Sequence, residues 1–315
     1  MKTYRLYQID SFTRTPFSGN PAGVVLDADD LTSEQMQAIA RELKNSETAF
    51  VLSPTGPGHD VLIRFFTPTT EVPMCGHATI AAHYARAVEL GIDDASVVQR
   101  TLAGDIPVEV KRVDGDLQIT MTQASIDFGP VLERQTVEAV CAALRIQAAD
   151  LDSRCPVRVA STGHSKVLVG IREETLLDRL APDLDALAQL SEKLGCNGYY
   201  VFTLNHSDRR FSARGRMFAP AIGIPEDPVT GNANGPLAAY LVEHRLITHD
   251  GKTASLINEQ GRALGRSGHV GVQVEIANER PVKVKVSGHA VVVYEASLRV
   301  HGRSVSNRPD ATGNA

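Results

Sequence analysis

Two segments of this sequence read as helices that are apolar on nearly every side, and a helix of that kind has to be enclosed by other structure. The first, over 77–90, carries Ala78, Ile80, Ala81, Ala82, Tyr84, Ala85, Ala87 and Val88 and is stopped by Gly91. The second, over 233–246, contains Leu237, Ala238, Ala239, Tyr240, Leu241 and Val242 in succession. Each is entered through a Pro- and Gly-bearing turn, Glu71-Val72-Pro73-Met74-Cys75-Gly76-His77 in one case and Pro225-Glu226-Asp227-Pro228-Val229-Thr230-Gly231-Asn232 in the other. Each turn follows a strand ending in aromatic-x-Pro, Phe66-Thr67-Pro68 or Phe218-Ala219-Pro220. One structural unit used twice accounts for both.

Other landmarks match in the same order, at offsets that drift in one direction as small insertions would make them. Gly19 pairs with Gly163, Phe66 with Phe218 and Gly76 with Gly231. A helix over 33–44, with Thr32 and Gln35 placed as a capping box, runs into Asn45-Ser46-Glu47-Thr48. A helix over 183–194 runs into Cys196-Asn197-Gly198-Tyr199, which sets Glu47 opposite Gly198.

Short branched or aromatic runs with turn residues between them read as strands over 4–10, 49–52, 61–66, 97–100, 106–111 and 117–121, then 157–160, 166–171, 199–204, 270–276, 282–286 and 291–294. The economical packing is α+β: two pseudo-symmetric halves, each a curved, mostly antiparallel, barrel-like sheet around its central helix, with a cleft between them. The N-terminal half covers 1–124 and is completed by a strand at about 289–300, and the C-terminal half covers 125–288, with the linker at Gln123-Ala124-Ser125-Ile126. The polar tail over 301–315 is expected to be disordered.

A chain of 315 residues, 43% hydrophobic, suffices for two ordinary cores. A net charge of −5 with scattered Lys and Arg offers no footprint for nucleic acid or an anionic membrane. The start, Met1-Lys2-Thr3-Tyr4-Arg5, lacks the apolar core of a signal peptide, and no run of about eighteen apolar residues occurs, so the expectation is a soluble, cytoplasmic protein. Cys75, Cys141, Cys155 and Cys196 form no C-x-x-C pair and have no zinc spacing, so reduced thiols and no metal are expected.

The chemistry follows from the two turns. Backbone N–H groups at a helix start favour an anion, and Gly76 and Gly231 let a carboxylate come close to them, since a Cβ obstructs that approach. Facing halves bring both starts to one cleft and gather Glu47, His77 and Asp227 there. A shielded carboxylate has its pKa raised, which suits it to take a proton from carbon and return it elsewhere, with no metal or nucleotide required. Each residue also has a plainer reading alone: Glu47 as a solvated loop charge, His77 as a satisfied helix-start histidine, Asp227 as a turn initiator, the glycines as turn formers. Cys75 is matched by Thr230, so a two-thiol relay lacks a thiol, and neither Gly163-His164-Ser165-Lys166 nor the turn from Gly261 to Arg266 has the context of a nucleophile elbow or a phosphate loop.

In combination, Gly19-Asn20-Pro21-Ala22, Ser46-Glu47-Thr48-Ala49-Phe50, Cys75-Gly76-His77-Ala78-Thr79 and Glu226-Asp227-Pro228-Val229-Thr230-Gly231-Asn232 resemble the PhzF family of phenazine-biosynthesis isomerases and their uncharacterised bacterial relatives. The resemblance implies a diaminopimelate epimerase-like fold, a homodimer, no cofactor, and a small-molecule carboxylate as substrate, with neither nucleic acid nor membrane as partner. It implies that Glu47 carries the proton, that His77 and Asp227 assist, and that Gly76, Gly231, Asn232 and Asn20 bind substrate. The family's characterised isomerase acts on trans-2,3-dihydro-3-hydroxyanthranilate and has a serine where this chain has Asn232. The expected function is therefore a cofactor-independent isomerase, with an epimerase or racemase, or a non-catalytic small-acid-binding protein, as alternatives.

Overall fold

In the computed structural model, which describes residues 2–300, the first apolar segment forms the helix Gly76–Leu90, with Ala78, Ile80, Ala81, Ala82 and Ala85 wholly buried. Gly91, at φ 64°, ends it in the left-handed conformation that glycine adopts freely. The second helix, Gly231–Glu243, is buried without interruption from Ala233 to Val242. It stops before the expected 246, because Arg245 turns left-handed at φ 55° and the Leu246 N–H reaches back to the Leu241 carbonyl at 2.8 Å, a cap that closes the last turn. The tail over 301–315 lies outside the described residues.

Around the first helix the strands pair in the order Ala290–Val300, Lys2–Ser11, Asn20–Val25, Thr48–Leu52, Val61–Phe66, Asp94–Thr101, Gly104–Val113 and Asp116–Thr122. Around the second the order is Asp127–Val131, Arg158–Ser161, Lys166–Gly170, Tyr199–Thr203, Ala213–Ala219, Thr253–Gln260, Gly268–Ala277 and Arg280–Gly288. Parallel pairing falls at matching places: Gly23 beside Thr48 and Val167 beside Tyr199, then Val61 beside Gln99 and Ala213 beside Asn258. The duplication is thus visible in hydrogen bonding. Residues 285–288 also pair with 119–122, joining the two runs edge to edge into one curved sheet.

One apolar core runs through both central helices and the strands around them. Two smaller cores sit outside the sheet, beneath the helix Ser33–Leu43 in the first repeat and beneath Arg134–Leu144 and Leu184–Leu194 in the second. The Thr32–Gln35 capping box is present, and Asp183 caps its helix through the Ala186 N–H. Arg134–Leu144 and Glu174–Arg179 are helices absent from the sequence expectations. In the first of these, Val137, Val140, Cys141 and Leu144 recur at helical spacing. No helix among the described residues is long and apolar enough to cross a membrane.

Candidate active site

Glu47 sits between the helix Ser33–Leu43, which Lys44 ends at φ 57°, and the strand Thr48–Leu52. Parallel pairing of Thr48 with Gly23 fixes where that strand begins. The Glu47 side chain is 13% exposed, and its Oε2 lies 3.4 Å from Nε2 of His77, the second residue of the first central helix. The Ser46 hydroxyl is 3.3 Å from the same nitrogen, and Cys75 Sγ is 3.4 Å from His77 Nδ1. Asp227 arrives from the other repeat, at the end of the strand Ile224–Asp227. Its carboxylate accepts from the Thr230 hydroxyl and, at 2.8 Å, from Asn20 Nδ2.

Burial sets the protonation of this group. Loss of water raises the pKa of both Glu47 and Asp227, and for Asp227 the nearby His77 partly offsets this while the Glu47 charge adds to it. Desolvation lowers His77, so the imidazole is neutral, and its approach to Glu47 is a proton-sharing contact more than an ion pair. A carboxyl raised by burial is a stronger base once ionised, which suits it to take a proton from carbon. Burial and the neighbouring Glu47 push the Cys75 thiol well above its usual range. Glu47, Cys75 and His77 offer ligand atoms within 4.8 Å of one another, so a soft divalent cation would find three donors here, but only after ionising a thiol that its surroundings keep protonated.

The two central helices begin without side-chain caps: Cys75 and Thr230 are the N-cap residues and neither caps. Gly76 and Gly231 both line one cavity of about 110 Å³ between the repeats, together with Glu47, His77, Asp227 and Asn232. Neither glycine has positive φ. A Cβ on Gly76 would come no nearer than 3.9 Å to Met121 Sδ, and one on Gly231 would make ordinary contact at 3.4 Å with Phe12 and Val286. Turn conformation and packing therefore leave both glycines unexplained. A ligand brought against the backbone explains them.

Behind the helix starts lies a polar network that sequence reasoning missed. Asn20, expected at the substrate, does not line the cavity; its amide instead holds the Asp227 carboxylate and the Val229 carbonyl, both at 2.8 Å. Gln123, from the segment between the repeats, donates to the Gly231 carbonyl at 3.2 Å and to Asn232 Oδ1 at 3.0 Å, while its own Oε1 accepts from Thr162 at 2.7 Å. A Cβ on Gly235 would stand 1.8 Å from that Oε1. We expect Gly235→Ala to expel the Gln123 amide and lower kcat/KM about tenfold, with little further loss in the Gln123→Ala, Gly235→Ala double variant. Equal, additive losses in steady-state kinetics would show that the two positions act apart. Asn234, at the start of the second central helix, accepts from the Tyr200 hydroxyl at 2.8 Å and donates to Gln260, which in turn holds the Asp227 carbonyl.

His164 and Lys166 also line the cavity. The signal for Lys166 was available: it opens a strand whose remaining residues are Val167, Leu168, Val169 and Gly170, an all-buried run in which a cation is out of place. The cavity opens onto a groove of about 780 Å³ between the segment from Thr67 to Met74 and the turn from Ile222 to Pro225. Arg266, at the turn beginning with Gly261, ties the second repeat to the loop before Asn20 by binding Asp10 at 2.7 Å and the Ser18 and Gly19 carbonyls at 3.0 Å.

A repeated sheet curved about two apolar helices, with a small cavity where their starts converge, defines a class of two-repeat α+β proteins. Comparison with known proteins places the chain within it. The family described as phenazine biosynthesis-like protein, PhzC-PhzF, matches residues 9–296. An uncharacterized isomerase of Clostridium acetobutylicum is 51% identical over 298 residues, covering 95% of this chain and 99% of that one. The trans-2,3-dihydro-3-hydroxyanthranilate isomerase of Pseudomonas aeruginosa is 35% identical over 293 residues, covering 93% and 98%. The crystal structure of a Bacillus anthracis phenazine biosynthesis protein of the PhzF family superimposes with a TM-score of 0.86 at 33% identity, covering 95% of this chain and all of that one. The chain belongs to the PhzF family and is an isomerase.

Proposed function

We propose that this isomerase moves a proton within a small carboxylate-bearing metabolite, cyclic or unsaturated, without a cofactor, and that Glu47 is the acid/base that carries it. The substrate carboxylate lies against the starts of the two central helices at Gly76 and Gly231, where negative charge that develops as the C–H bond breaks is stabilised by backbone N–H groups. Ionised Glu47 takes the proton from one carbon and returns it to another, so the reaction is balanced without oxidant or second substrate. His77 orients the Glu47 carboxyl, and Asp227, fixed by Thr230 and Asn20, holds a polar substituent of the substrate. The chemistry is like that named for the Pseudomonas aeruginosa relative, although Asn232 gives this site a larger group, engaged by Gln123.

The observation that carries the reading is the asymmetry of the two repeats. In the second, the place of Glu47 is taken by Gly198, at φ 149°, where a Cβ would fall 2.4 Å from the Phe218 carbonyl oxygen. No side chain fits there. With Gly198 at the matching place and Asp227 held by Thr230 and Asn20, Glu47 has no matched counterpart across the cradle, which suits a shuttle that uses a single base and disfavours two matched bases on opposite faces of one carbon. The reading extends to a cytoplasmic homodimer. Four buried cysteines, all free, support a reducing compartment, and the homodimer rests on the family resemblance.

The test is solvent-deuterium incorporation into a panel of cyclic and unsaturated amino and hydroxy acids, followed by NMR. We expect exchange at carbon in at least one acid and, for Cys75→Ser, a rate within about threefold of the parent, because a thiol held protonated is a poor base. Exchange that disappears with Cys75→Ser would favour an epimerase. Tight binding of acids without exchange in any would favour a binding protein.

A further inference from the structure

Lys166 is only 4% exposed, and the chemistry proposed above makes no use of it. It opens the strand Lys166–Gly170 and lines the cavity with His164, Glu47, Asp227 and the cradle glycines. An ammonium has three donors. Among the described residues its hydrogen-bond partner is the neighbouring Ser165 carbonyl at 3.3 Å, and the Asp227 carboxylate acts on it from beyond ion-pair distance. Burial lowers its pKa to about 8, so it still carries a proton through most of the neutral range. An ammonium in that position costs stability unless something meets its charge.

The fold does not ask for it. Matching Gly23 beside Thr48 with Val167 beside Tyr199 puts the wholly buried Ala22 at the corresponding place in the first repeat, so an alanine serves the sheet there. His164 does not supply a counter-charge: its Nδ1 faces the Asn197 amide at 3.2 Å, and burial and the Lys166 charge keep the ring neutral. The Asp227 carboxylate, already held by Thr230 and Asn20, acts on Lys166 only from beyond ion-pair distance, which leaves the place of direct partner to the ligand.

We propose that Lys166 receives a second carboxylate of the substrate, so that the enzyme acts on a short dicarboxylic acid, one carboxylate at the two helix starts and the other on this ammonium. The inference rests on the proposed function for the position of the first carboxylate. Both binding groups line the same cavity of about 110 Å³, which suits a short chain between the two carboxylates.

Titration calorimetry on the full chain tests it, with glutarate against butyrate and fumarate against crotonate. The expected result is that a diacid binds the parent about tenfold or more tightly than its monoacid, and that Lys166→Met and Lys166→Gln erase this preference by weakening the diacid alone. A second readout separates recognition from a structural role. Lys166→Met keeps the length and removes an unpaired buried charge, so Tm should rise, whereas a lysine needed by the fold would give a lower Tm. Absence of diacid preference in the parent, equal weakening of both acids in the variants, or a lower Tm would overturn the assignment. Monoacids report on the helix starts separately: if they fail to bind the parent, the cradle of the proposed function is at fault, and the dependence of diacid binding on Lys166 still decides this inference.

Discussion

Glu47→Gln stops proton exchange: deuterium incorporation into the substrate falls by about 10³-fold or more, while binding of the carboxylate persists. The amide keeps the shape of the side chain and its contact with His77 and loses only the ability to take a proton. Because burial raises the Glu47 pKa, kcat/KM of the parent should climb with pH through a value above the ordinary carboxylate range, as the carboxylate forms. The same shift has a sign for stability. A carboxyl whose pKa is higher folded than unfolded favours the folded state least once both forms are ionised. The penalty is absent below the unfolded pKa, grows as pH rises towards the folded one and is constant above it. Glu47→Gln should therefore raise Tm at neutral pH and lose that advantage as pH falls below about 4. Unchanged exchange in the variant, or a Tm difference that widens on acidification, would contradict the assignment of Glu47.

Gly76→Ala weakens substrate binding without weakening the fold. We expect KM to rise on the order of 10²-fold, since the methyl group stands between the carboxylate and the first backbone N–H groups of the helix. The protein has room for it: the nearest atom is 3.9 Å away, and alanine in a helix is favoured over glycine by up to about 1 kcal/mol. Tm should stay level or rise. Gly231→Ala should behave alike but with a smaller margin for stability, because Phe12 and Val286 already stand at 3.4 Å. A variant that loses stability and keeps its KM would return both glycines to the role of turn formers. The pairing of intact fold with lost affinity distinguishes a residue kept for a ligand from one kept for the chain.

Much of this site was legible because its residues sit where local sequence already carries meaning. Glu47, Gly76, His77, Asp227 and Gly231 lie at element ends, and strand-turn-helix chemistry marks such places in one dimension. Gln123 backs the second helix start from a connection, His164 and Lys166 reach the cavity from the start of a strand in the other repeat, and no spacing rule joins them to residues a hundred positions away. Asn20 was expected at the substrate, and the fold sets it behind the cavity lining. Its motif was recognised, but a short side chain on the strand Asn20–Val25 can serve either the ligand or the turn beside it, and the Asp227 carboxylate at 2.8 Å took it.

The sequence by itself determined that the chain folds as a repeated unit, that each unit encloses a helix with no polar face, and that a glycine opens each helix, because periodicity and turn residues are local properties of a chain. The tertiary structure alone decided that the two runs of strands join edge to edge through residues 119–122 and 285–288, that both helix starts share one cavity, and that a buried ammonium lines it without an ion-pair partner among the described residues. Sheet pairing and charge burial depend on which distant segments exclude water together, and that information exists only once the chain has closed.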